Sequence, residues 1–176
     1  MALSLTACGP SLSAKHGSTR YLPYSADGLS FRYPSTWITQ TYEHPPFTFS
    51  TPIVNLSNAK LHDPCTTTGS RSVCGLPLKV LPAGGILVMW SIEASPTASP
   101  IVSHPDTTLA GRPARVVTTQ TSWCSGLRGT STINAEIQSQ PSDGEYYMTA
   151  CLRGPVRQLS QQVTTMLNSV SLTSDI

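Results

Sequence analysis

Residues 114–172 read ARVVTTQTSWCSGLRGTSTINAEIQSQPSDGEYYMTACLRGPVRQLSQQVTTMLNSVSL. Three segments of this stretch, 114–122, 131–139 and 145–152, are β-branched, aromatic or alternating, and turn residues separate them. That pattern predicts three consecutive strands. The period then changes. Val156, Leu159, Val163, Met166, Leu167 and Val170 recur at helical spacing behind a Gly154-Pro155 start signal, which predicts a helix over 155–168. A sheet face and a helix stripe that both need covering most simply cover each other, which points to an α+β layer. Within the meander, Ile133, Ala135 and Ile137 alternate with Thr132, Asn134, Glu136 and Gln138, so one face of the sheet is expected to be buried and the other wet.

Working outward, residues 85–94 (GILVMWSIEA) form the most apolar run and predict a central, fully buried strand. Residues 29–33 and 37–42 read as two further strands either side of Pro34, and 47–56 as a strand interrupted at Pro52 or a loop over the sheet. Residues 95–106 carry three prolines and read as a long surface loop.

Composition narrows the class. Among 176 residues, 11% are charged and 39% hydrophobic, with 15 Pro and about a quarter Ser or Thr. This profile suits an exported domain better than a cytosolic enzyme. The net charge is +2, lysine occurs only at Lys15, Lys60 and Lys79, and no basic stripe is present, which argues against nucleic-acid binding.

The five cysteines are the sharpest clue. Cys8 stands alone near the start, followed by Cys65, Cys74, Cys124 and Cys151. Leu5-Thr6-Ala7-Cys8 resembles a bacterial lipobox, which implies lipid on Cys8, although only a short leader precedes it. Residues 1–20 are then a lipobox remnant and tether, and 21–176 a single domain. The remaining four cysteines allow three connectivities. Cys65 and Cys74 are close enough to pair across a tight loop, for about 2–3 kcal/mol. Cys124 and Cys151 fall toward one end of the predicted sheet, so Cys65–Cys74 with Cys124–Cys151 is the favoured pairing.

Catalytic chemistry leaves no signature. There is no G-x-S-x-G elbow and no Gly-rich phosphate loop, and His44, His62, Asp63, His104 and Asp106 lack metal-ligand spacing. Of the acids Glu43, Glu93, Glu136 and Glu145, Glu93 at the end of the apolar strand is the first candidate to check for burial. The expectation is a protein without enzymatic activity, cofactor or metal.

One resemblance adds to this reading. Gly28-Leu29-Ser30-Phe31-Arg32-Tyr33-Pro34-Ser35-Thr36-Trp37 resembles the G-x-x-F-x-Y-P-x-x-W opening of PsbP/Mog1-like domains, which include many bacterial lipoproteins. Leu109-Ala110-Gly111-Arg112-Pro113-Ala114 resembles their L-x-G-x-x-A hairpin, and Met166 to Leu172 their closing helix and short strand. The resemblance implies an α/β/α sandwich, a central antiparallel sheet with helices packed on it. It also implies a scaffold that docks to other proteins, as relatives do at photosystem II or at a small GTPase. The role expected on these grounds is a lipid-anchored binding or assembly protein of the bacterial envelope with an unidentified protein partner. The alternative is a module for a small apolar or lipid ligand, with a candidate pocket between sheet and helix built from Trp37, Met89, Trp90 and Met148.

Overall fold

The computed structural model describes residues 19–42, 50–69, 71–93, 104–120, 123–138 and 145–173. In chain order the strands are β1 (Tyr21–Ala26), β2 (Leu29–Pro34), β3 (Ile38–Gln40), β4 (Ser50–Ser57), β5 (Cys65–Thr68), β6 (Arg71–Cys74) and β7 (Gly85–Glu93). They continue as β8 (Thr107–Leu109), β9 (Arg112–Thr119), β10 (Ser131–Gln138), β11 (Glu145–Arg153) and β12 (Ser171–Leu172). A 3-10 turn occupies Trp123–Leu127, and the helix α1 spans Val156–Leu167.

The meander is as the alternation predicts. β9, β10 and β11 are antiparallel neighbours, and β7 lies against β11. The full seven-stranded sheet runs β3-β4-β7-β11-β10-β9-β8. A second sheet, β1-β2-β12, and the isolated hairpin β5-β6 complete the strands. At Pro52, which has no amide to donate, the β4–β7 register shifts by one residue, and Ile53 is accommodated as a bulge.

Alternation along each strand sorts side chains onto two faces. One face carries rows such as Val54–Trp90–Met148–Ala135 and Leu56–Val88–Ala150–Ile133, read across β4, β7, β11 and β10. These residues form the main core with Leu29, Phe31 and Tyr33 of β2 and Leu159, Val163, Met166 and Leu167 of α1. Phe31 links the two sheets directly: its ring stacks on Trp90 at 5.6 Å and on Tyr24 at 4.9 Å. The end of α1 is fixed to β2 by Ser169, whose hydroxyl donates to the Met166 carbonyl at 2.7 Å and accepts from the Arg32 amide at 2.8 Å.

The expected α/β/α sandwich is corrected by this arrangement. The described residues contain one α-helix, and the fold is mostly β. Helix α1 and the small sheet share one face of the large sheet, and among the described residues no α-helix packs on the other. The residue pattern explains this: β10 presents Thr132, Asn134, Glu136 and Gln138 to that second face, and an amphipathic helix has no apolar stripe there to bury against. For the same reason β7 is not buried on both sides. Ile86, Val88 and Trp90 on the inner side are buried, whereas Met89, Ser91 and Glu93 on the other side are partly exposed.

A smaller apolar cluster covers one end of the second face. Leu61, Leu78 and Leu81 from the segment before β7 meet Leu87, Cys151, Cys124 and Leu127 there. Two disulfides are formed, Cys65–Cys74 across the β5-β6 hairpin and Cys124–Cys151 from the 3-10 turn to β11. No helix among the described residues is long and apolar enough to cross a membrane. Cys8, His44, Glu43 and most of the proline-rich loop lie outside the described residues.

A candidate binding groove on the open sheet face

The strand registers lay out the second face row by row. Starting at the covered end, Ser57–Leu87–Cys151–Thr132 is followed by Asn55–Met89–Thr149–Asn134–Val117. Next come Pro52–Ser91–Tyr147–Glu136–Arg115 and, at the far end, Ser50–Glu93–Glu145–Gln138. The face therefore passes from apolar, through neutral polar, to acidic.

Two contiguous depressions follow these rows. One, of about 330 Å³, lies over Pro52, Asn55, Met89 and Ser91 and is walled by Leu76 and Trp123. The other, of about 400 Å³, extends past Trp123 over Thr149, Asn134 and Tyr147 to Glu93. Trp123 borders both. Mixed apolar and hydrogen-bonding linings of this kind suit recognition of a ligand that is partly apolar and partly polar.

Trp123 is held in place by its neighbours. Cys124 is fully buried and bonded to Cys151 in β11, and its sulfur accepts a hydrogen bond from the Thr132 hydroxyl at 3.0 Å. Leu127, 1% exposed, plugs the small apolar cluster, and its carbonyl accepts the Leu81 amide. The Gly129 and Arg128 amides close the turn on the Cys124 and Ser125 carbonyls. The indole itself remains 54% exposed, against 5% for Trp37 and 1% for Trp90. A large amphipathic ring fixed at the edge of a groove, with its face in solvent, is a feature of binding surfaces rather than of cores.

The acidic end has its own electrostatics. Glu145 is 5% exposed, and one of its carboxylate oxygens has no hydrogen-bond partner. Burial pushes its carboxyl up to about 7, and the negative charges of Glu136 and Glu93 add to the effect. The Tyr147 hydroxyl donates to Glu136 and is itself raised, first by burial and then by the three glutamates.

The four residues expected from sequence to form one pocket between sheet and helix divide between the two faces of the sheet, although Trp90 and Met89 both border the 330 Å³ depression. Trp37, Trp90 and Met148 belong to the packed core between sheet and helix, whereas Met89 points to the opposite face and floors the groove. Glu93 is half-buried, and the buried acid is Glu145 across from it. Asp63 accepts the Cys65 amide at 2.8 Å, and Asp106 accepts the Val116 amide at 3.2 Å, so both shape loops. His62 and His104 are exposed. Among the described residues no group of three or more His, Cys, Asp or Glu is placed to hold a metal ion.

Trp123 was not legible as a site residue from periodicity, since it falls in a turn. The available signal is an aromatic adjoining a disulfide cysteine in an otherwise small and polar segment. No family model and no curated protein matches the chain.

Proposed function

We propose that this chain is an extracytoplasmic binding protein without catalytic activity, held to the membrane by lipid on Cys8, whose open sheet face docks a segment of a protein partner. The observation that carries the reading is Trp123, exposed and pinned by the Cys124–Cys151 disulfide over a groove. Two disulfides belong to an oxidising compartment. The space between sheet and helix favours protein docking over a small apolar ligand, because Trp90, Met148, Val163 and Met166 fill it with at most 1% exposure each.

The test combines mass and position. Intact mass of the native protein is expected to show acylation at Cys8 and the loss of four hydrogens to two disulfides. A photo-crosslinking residue at Ser91 is expected to trap one protein of the envelope, and the Trp123→Ala change to abolish that adduct. A crosslinker at Gln161 on α1 is expected to trap nothing. Adducts that survive Trp123→Ala, or that arise only from α1, would sink the groove as the docking site.

A further inference from the structure

We infer that the acidic end of the groove receives a cationic side chain, a lysine or arginine carried by the docked segment, with its charged head at Glu93, next to Glu145 and Glu136, and its alkyl stem along Trp123 and Met89. The inference rests on the groove being the docking site and names the chemistry it selects.

Three observations converge on it. First, the carboxylates stand on adjacent strands of one face: Glu93 and Glu145 are directly paired across β7 and β11, and Glu136 is paired with Tyr147 one row in. Like charges directly opposite one another destabilise a sheet, so an arrangement of this kind calls for a counter-charge. Second, among the described residues no cation stands directly across from Glu145. Burial, Glu136 and Glu93 are the influences on Glu145, and all push in the same direction. The nearest cation in the register is Arg115, across from Glu136 and one strand farther from Glu145. Third, Glu145 keeps a carboxylate oxygen with no hydrogen-bond partner although the residue is 95% removed from solvent. An unsatisfied buried acceptor is costly, and a donor brought by a ligand removes that cost.

Beyond charge, the approach to the acids fits a long cationic side chain. Trp123 and Met89 border the cavity that ends at Glu93. Lysine and arginine lay their methylene stems on apolar surface while the head seeks anions, and an indole face adds cation–π attraction. The hydroxyl of Tyr147, donating to Glu136, orients that carboxylate.

Binding of a cation favours ionised Glu145, so affinity is expected to rise between pH 6 and pH 8. The titrating and charged groups around it are Glu93, Glu136, Tyr147 and, behind Glu136, Arg115.

The experiment titrates the full disulfide-bonded protein with n-butylammonium chloride, followed by amide chemical shifts and Trp123 fluorescence, at constant ionic strength. The neutral n-butanol serves as the isostere. Saturable shifts at Glu93, Glu136, Glu145 and Trp123 with butylammonium, weakened about fivefold to tenfold by Glu93→Gln or Glu136→Gln and near absent with butanol, are the expected result. Equal responses to the two probes would overturn the inference and leave an apolar groove in place. Butylammonium shifts that map elsewhere, or no saturation, would overturn it too. Crosslinking from Ser91 reports the docking reading separately, so a partner trapped there with unchanged yield in Glu93→Gln rejects the cation alone.

Discussion

Glu145 makes the stability of this protein fall with rising pH. Its ordinary value is 4.5, and in the fold its carboxyl titrates at about 7. Between those values the native state holds a proton that the unfolded chain has released, so stability declines from pH 4.5 to 7 and stays low above it. Glu145→Gln keeps the shape and removes the charge. It is expected to stabilise the fold by about 2 kcal/mol at pH 8 and by nothing measurable at pH 4.5, as read from urea denaturation at both. A gain that is equal at the two pH values would show that charge is not the cause. Gly28 argues a different constraint. With Asp27 it forms the two-residue β1–β2 turn, and both have positive φ, 50° and 72°. A Cβ on Gly28 would lie 2.7 Å from the Tyr146 hydroxyl oxygen, which donates to the Asp27 carbonyl at 2.8 Å. Gly28→Ala is expected to cost about 2–3 kcal/mol, from the left-handed backbone and the clash together. In a Tyr146→Phe background the clash is gone, and the added penalty is expected to shrink to the backbone part.

The two disulfides do different things because they tie different elements. Cys124–Cys151 closes 27 residues of separation between the 3-10 turn and the strand at the centre of the sheet, and both cysteines are fully buried. Replacing both by alanine is expected to cost about 3–4 kcal/mol. It is also expected to free Trp123, seen as faster acrylamide quenching. Cys65–Cys74 closes 9 residues within a hairpin that pairs with no other strand among the described residues, and both cysteines are half-buried. Mild reductant is expected to open it first, leaving the thermal midpoint nearly unchanged. A loss of the main transition on opening Cys65–Cys74 alone would contradict this division. The elements themselves were largely legible: β9, β10, β11 and α1 lie within two or three residues of where alternation and helical spacing put them. Cys124–Cys151 follows from strand order, since β9 ends and β11 ends at the same end of the meander, and Cys65–Cys74 from the short loop between them. What periodicity could not give is the 3-10 turn. Its geometry comes from Cys124 and Leu127 reaching a cluster contributed by residues 61–87, a contact with no local sequence trace.

The molecule as a whole was misread on one point for a physical reason. Short aromatic and turn motifs at 28–37 and 109–114 mark strand ends and hairpins, which many β-containing folds share, so they carry no information about what covers the far side of the sheet. That information lies in the outward residues of β7, β10 and β11, whose polarity leaves the face open. The open face also sets how an anchored molecule presents itself. The chain enters the domain at Thr19, which borders a polar depression with Gln158, Gln161 and Gln162 of α1. Helix α1 packs on the core face of the large sheet, opposite the groove. On the proposed reading, a lipid on Cys8 would draw the side at which Thr19 enters toward the bilayer and leave Trp123 and the acidic row directed outward. With the protein coupled through Cys8 to vesicles containing brominated lipid, Trp123 emission is expected to be unquenched by bromine and still quenched by aqueous acrylamide. The buried rings of Trp37 and Trp90 contribute little to the acrylamide response. Strong bromine quenching that Trp123→Phe abolishes would place the groove against the membrane, where no soluble or periplasmic segment could reach it. The docking surface would then have to be sought on the helix side.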